Sequence, residues 1–206
     1  MSEILPSHCI AFNGMQRIAI GTLAEVATEI KRVVDSGRHR SVLLFDARTS
    51  ELIDVDTRGS VEDVALRYAR TSASAAPSEN ASPDDAAAGG PRARGRPKLG
   101  VVGREVTLLP RHWEWLGTQP GGASVALRKL VEEARRAYAG RDIARKSREA
   151  AYRFMSALAS GLETFEEATR ALFAGDRPRF EALLAGWPTD VRVHAVDLAQ
   201  DSFNAG

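Results

Sequence analysis

Between Thr71 and Gly90 the chain is built almost entirely from Ala, Ser, Pro, Asp and Gly. Such a stretch has no large apolar side chains to bury, so nothing offsets the entropy of ordering its backbone. It is expected to be disordered and to form the main boundary of the chain. Whatever packs must come from residues 1–70 and from residues beyond it.

The first of these parts reads as a small α+β unit. Cys9-Ile10-Ala11-Phe12 and Arg17-Ile18-Ala19-Ile20 are short apolar strands, and the intervening Asn13-Gly14 is a hairpin-turn signal. Thr22, followed three residues later by Glu25, predicts a capping box. Leu23, Val26, Ala27, Ile30, Val33 and Val34 then fall on one helical face, and Gly37 ends the helix. Ser41 to Asp46 predicts a buried strand, with Glu51 to Val55 as its hairpin partner. Ser60 and Asp63 open a second helix ending near Arg70. The order is ββαββα.

The linker runs into Pro91-Arg-Ala-Arg-Gly-Arg-Pro-Lys98. An extended Arg94-Gly95-Arg96-Pro97 segment is narrow. Gly95 carries no Cβ to strike a groove wall, and Pro97 stiffens the exit. The narrow A·T minor groove concentrates negative potential and favours inserted Arg. The segment resembles an AT-hook. That resemblance implies A·T-rich DNA as partner, with Arg92, Arg94, Gly95, Arg96, Pro97 and Lys98 as contacts. The competing expectation is a solvated basic tether.

Charge segregation points the same way. Residues 1–90 carry 9 basic and 13 acidic side chains, residues 91–153 carry 15 and 6, and residues 154–206 carry 4 and 8. A basic middle between acidic ends suggests a polyanion-binding segment, or else mutual neutralisation of packed parts. Arg outnumbers Lys 24 to 4, usage that suggests a high-GC bacterial genome.

From Leu99 the pattern changes. Glu105 to Leu109 predicts a short strand, Arg111 to Thr118 a short helix, and Pro120-Gly121-Gly122 a break. Ser124 is the expected cap of a longer helix to about Ala139. The strand, helix, turn and helix resemble a ribbon-helix-helix module. In that family two chains pair their strands into a ribbon that enters the major groove. The resemblance implies a homodimer, with Val106 and Leu108 facing inward and Glu105 and Thr107 facing bases. It implies a phosphate clamp at Ser124. Trp113, Leu116, Leu127, Leu130 and Val131 match core positions. Arg104, Arg111, Arg128, Lys129, Arg135 and Arg136 would supply phosphate contacts. Glu105 departs from the usual polar or basic residue: it can accept from cytosine but repels phosphate.

Beyond Gly140 the chain reads as helical. One helix is expected from Arg141 to Ala159, with Ile143, Ala151, Phe154, Met155 and Leu158 on its apolar side. Thr164 and Glu167 predict a capping box for the next. Asp176 caps a third, with Pro178 in its first turn, and Trp187-Pro188-Thr189 leads into the last. Phe165, Phe173, Phe180 and Trp187 are expected in the core. The fold class is therefore α+β. Residues 1–70 form the ββαββα unit and 71–98 the disordered linker ending in the basic arm. Residues 99–140 form the strand-helix-helix module and 141–206 a helical bundle.

Several runs are similar to a bacterial domain-of-unknown-function family, family 2239. They are Gly95 to Leu99, the Trp113-Glu114-Trp115-Leu116 cluster, Gln119 to Val131, Ala151 to Leu158 and Thr169 to Arg177. The similarity implies a bacterial, cytoplasmic protein and no particular activity.

Other classes lack support. No apolar run approaches the ~20 residues of a membrane helix. Met1 to Phe12 lacks the basic start of a signal peptide. Cys9 is alone, so no intrachain disulfide or Cys-based zinc site is expected. His8, His39, His112 and His194 share no metal-ligand spacing. Asp54 and Asp56 alternate onto one face, as expected of a solvated hairpin edge. The chain is expected not to be an enzyme and to need no cofactor. The leading expectation is a cytoplasmic DNA-binding protein, a transcriptional regulator or nucleoid-associated factor. The alternative is a protein-interaction adapter without DNA binding; an enzyme built on the N-terminal acids and His39 ranks third.

Overall fold

A computed structural model describes residues 8–38, 40–74 and 104–204. The AT-hook-like arm, His39 and most of the expected linker lie outside the described residues. The elements in order are β1 (Cys9–Asn13), β2 (Gln16–Gly21), α1 (Leu23–Asp35), β3 (Val42–Asp46), α2 (Val61–Ser74), α3 (Pro110–Gly117), α4 (Gly122–Leu158), α5 (Phe165–Ala174), α6 (Arg177–Leu184) and α7 (Thr189–Ala199), with a closing 3-10 turn over Gln200–Phe203. The mixed α+β class expected from sequence is what forms. Two compact units are distinguished: residues 1–77 with 138–206, and residues 78–137.

In the first unit three antiparallel strands form a sheet in the order β2-β1-β3. The β1–β2 loop is Gly14-Met15, because Asn13 pairs with Gln16. Gly14 has φ +62, which fits the turn type with glycine at its first central position. A bulge between Ala11 and Phe12 leaves Ile18 without a cross-strand partner on β1.

Central β1 is buried on both faces. Cys9 and Ala11 pack with Leu23, Val26 and Ile30 of α1. Ile10 and Phe12 join Phe45, Phe154, Met155, Leu172 and Phe180 on the other side. Ile10, Phe12 and Phe45 thus share one core with residues 150–199, while the opposite face of the sheet packs in a second core on α1. The expected split into a 1–70 domain and a 141–206 bundle does not describe this packing. Burying each large apolar side chain stabilises by roughly 1.5–3 kcal/mol, and β1 gains that on both faces only because helices cover both.

Local signals place most helix ends. Thr22 and Glu25 form the reciprocal box: the Thr22 amide donates to Glu25 at 2.9 Å and the Glu25 amide to Thr22 Oγ1 at 3.4 Å. Ser60 and Asp63 do the same for α2 at 2.9 and 3.1 Å. Asp176 caps α6, with Pro178 in its first turn.

Five expectations are corrected. First, the hairpin partner of β3 shrinks to a single bridge, Phe45 with Leu52. Beyond Ile53 the chain is drawn off the ladder toward α2. The Asp56 amide donates to Tyr68 Oη at 2.6 Å, and Arg67 donates to the Asp56 and Arg58 carbonyls at 2.5 and 3.1 Å. Second, α2 continues past Arg70 to Ser74, into the stretch expected to be disordered.

Third, no break separates two helices at Gly140. α4 is continuous over 37 residues. One interior glycine costs a helix about 1 kcal/mol, which nearby pairs such as Arg145 with Asp142 and Glu149 help offset. Fourth, Thr164 does not cap α5. Its φ is +68 and its side chain makes no capping bond. Instead its hydroxyl donates to the Leu183 carbonyl at 2.9 Å and accepts from Trp187 Nε1 at 3.2 Å. Fifth, Phe173 and Ile143 are exposed rather than core; the Phe173 ring stands against Tyr152 at 5.6 Å.

Candidate nucleic-acid interface

The described part of the second unit comprises residues 104–137. Residues 104–109, expected as a strand from Glu105, form no ladder with any other of the described residues. Arg104, Glu105 and Thr107 are exposed there, Val106 is exposed too, and Leu108 is half-buried. A segment without a partner strand closes no ladder, whatever its propensity.

Leu109 precedes α3, and Pro110 opens it, where a missing amide costs nothing. Between α3 and α4 the amides of Thr118, Gln119 and Gly122 donate to the carbonyls of Trp115, Leu116 and Gln119. Gly121 and Gly122 have φ of +86 and +75. Two successive left-handed residues explain the Gly-Gly pair. Helix α4 therefore starts at Gly122, and Ser124 lies inside its first turn rather than at the cap. Its first turn holds no acidic side chain, so the open amides there face no competing carboxylate.

Only Leu116 and Ala126 are buried among the residues of 104–137. Trp115 is 50% exposed, Val106 54% and Val131 58%, and Leu109, Trp113 and Leu130 are exposed with them. The positions expected to form a core thus remain largely uncovered in one chain. Among the described residues no carboxylate lies within ion-pair reach of Arg104, Arg111, Arg128 or Lys129. Arg135 and Arg136 differ: both pair with Glu132, at 3.3 and 3.5 Å. The Arg128 Nε donates to the Ser124 carbonyl at 3.0 Å. Arg104, Glu105, Thr107 and Ser124 are all solvent-facing, whereas Arg92 through Lys98 lie outside the described residues.

The first unit contains a feature that sequence reasoning missed. A cleft of about 600 Å³ opens between the loop after β3, the second half of α4 and α7 with its 3-10 turn. His194 lines it, is only 6% exposed, and its Nε2 has no hydrogen-bond partner among the described residues. Burial pushes the imidazole down to about 4. The only local signal was the spacing of Ile143, Lys146, Ser147 and Arg153 along one helical face. The residues that complete the cleft come from distant parts of the chain.

The expected solvated edge at Asp54 and Asp56 is half right. Asp54 is exposed, but Asp56 accepts from Arg58 at 2.7 and 2.9 Å. Those bonds hold its carboxyl well below the usual range. Cys9 is buried, and desolvation raises its thiol to about 11. Among the described residues no group of three or more His, Cys, Asp or Glu side chains could hold a metal ion. No described helix is long and apolar enough to cross a membrane.

The family model described as "Uncharacterized protein conserved in bacteria (DUF2239)" matches residues 8–199. No curated protein and no solved structure matches.

Proposed function

The chain belongs to this DUF2239 family of proteins conserved in bacteria, and we propose that it binds DNA as a homodimer. The observation that carries the proposal is the surface of residues 104–137. Trp113, Trp115, Leu130 and Val131 stand uncovered beside Arg111, Arg128 and Lys129, cations without an ion-pair partner among the described residues. Apolar side chains at this exposure favour burial against another copy. Pairing two copies would bring the segments 104–109 together as a ribbon, which needs a ladder between chains and none within one. Arg104, Thr107 and the first turn of α4 near Ser124 would then face DNA, with Glu105 as the dissenting charge. Arg94 and Arg96 of the sequence-adjacent arm would read an A·T-rich minor groove. A regulator or nucleoid-associated role follows from that mode of binding.

The experiment is duplex binding across salt. An A·T-rich duplex is expected to bind more tightly than a G·C-rich one, with affinity falling steeply as salt rises. Arg94→Ala with Arg96→Ala should remove the A·T preference. Equal, weak binding to both duplexes, unaltered by those substitutions, defeats the proposal and favours the adapter. Solution mass checks the dimer: Leu130→Asp with Val131→Asp should leave a monomer.

A further inference from the structure

We propose that the cleft lined by His194 is a binding site for a small zwitterion, a molecule with an ammonium at one end and a carboxylate at the other. Its two helical walls carry opposite charge. α4 presents Lys146 and Arg153, and its one acid in the cleft, Glu149, is already paired with Arg145 at 3.2 Å. α7 and the turn after it present Asp197 and Asp201. Among the described residues neither aspartate makes an ion pair, and Lys146 makes none. Among the described residues no ion pair joins the two rows, and the loop after β3 adds one charge of each sign, Arg48 and Glu51.

The walls are stitched together below these charges. Ser147 Oγ donates to the Leu198 carbonyl at 2.5 Å and accepts from the Ser202 amide at 3.0 Å. Arg153 donates to the Thr49 carbonyl and so ties the loop after β3 to α4. That loop is itself pinned: Asp46 Oδ1 accepts from the amides of Arg48 and Thr49 at 2.7 and 2.8 Å. Fixed walls keep the two charge rows at a set separation, which lowers the ordering cost of binding.

His194 lines the cleft between the two charge rows. Its Nε2 is closed off from solvent and its ring packs edge-on to Phe154, so the imidazole senses an occupant through packing and local field rather than through a bond to it. Kept neutral by its burial, the ring adds no charge to the cleft. The volume, about 600 Å³, lies within the range of small-molecule sites. The carboxylate end belongs at Lys146 and Arg153, and the ammonium end at Asp197 and Asp201.

Free amino acids and short peptides share this chemistry and differ in the span between charges. Glycine, diglycine and triglycine are therefore titrated into the full-length protein. Binding is read by calorimetry and by the ring resonances of His194 in histidine-labelled protein. One member of the series is expected to bind and to shift His194. N-acetylation or C-terminal amidation of that probe should weaken it at least tenfold. Lys146→Ala and Asp197→Ala, both at exposed positions, should each do the same while the fold, read by circular dichroism, is unchanged. The proposal is overturned if none of the three shifts His194, if the blocked forms bind as well, or if both variants bind as the parent does. None of these outcomes touches the DNA proposal, because the duplex assay reads a different unit.

Discussion

The imidazole of His194 stands edge-on to the ring of Phe154, with centroids 4.7 Å apart and planes at 86°. Its folded-state pKa is pushed from 6.5 down to about 4, first by burial and then by Arg17, with Asp197 opposing. Below about pH 6.5 the unfolded chain binds a proton that the folded chain refuses. Stability should therefore fall as pH drops through the window from 6.5 to about 4, by an amount on the order of 3 kcal/mol. Urea midpoints across that window measure it. His194→Gln should flatten the slope there, and an equal slope in both proteins would contradict the assignment.

Phe154 also meets Phe12 at 5.2 Å and Phe45 at 5.6 Å. Strand residues from the start of the chain thus depend on a helix more than a hundred residues later. Phe154→Ala should cost about 3–5 kcal/mol. The loss should appear in one cooperative transition seen equally by strand and helix signals. Two separated transitions would mean that residues 9–46 and 141–199 fold independently.

Cys9 provides the matching kinetic probe. The thiolate is the reactive species, and burial raises the thiol to about 11. Native protein at pH 8 should resist a thiol-alkylating reagent, and labelling should track global unfolding. Phe154→Ala should accelerate it about tenfold for every 1.4 kcal/mol of stability lost. Rapid labelling of the native parent would show that β1 is open.

Ser50 sits in the left-handed region at φ +55, fully buried, with Oγ lacking a partner among the described residues. Glycine relieves both burdens, since it tolerates that φ and carries no hydroxyl. Ser50→Gly should stabilise the protein by about 1 kcal/mol, read as a rise in Tm. A fall in Tm would show that the hydroxyl is satisfied by an internal water.

What could be read from the chain alone was whatever depends on near neighbours. The Thr22–Glu25 and Ser60–Asp63 boxes, the Asp176 cap and the Asn13-Gly14 hairpin each close over two to four residues. Their geometry is encoded in adjacent side chains. The concentration of basic side chains in residues 91–153 was likewise visible from charge counts. The tertiary structure decided the rest. Thr164 and Glu167 have the capping spacing, yet Leu183 and Trp187 claim the hydroxyl from across the fold. Glu51 to Val55 has strand-like residues, yet Tyr68 and Arg67 take its continuation away from the sheet. The common core of Phe12, Phe45 and Phe154 and the cleft over His194 join residues too far apart for any periodicity to announce them. Local hydrogen bonds compete on nearly equal terms, so a single long-range partner or a buried face tips the choice.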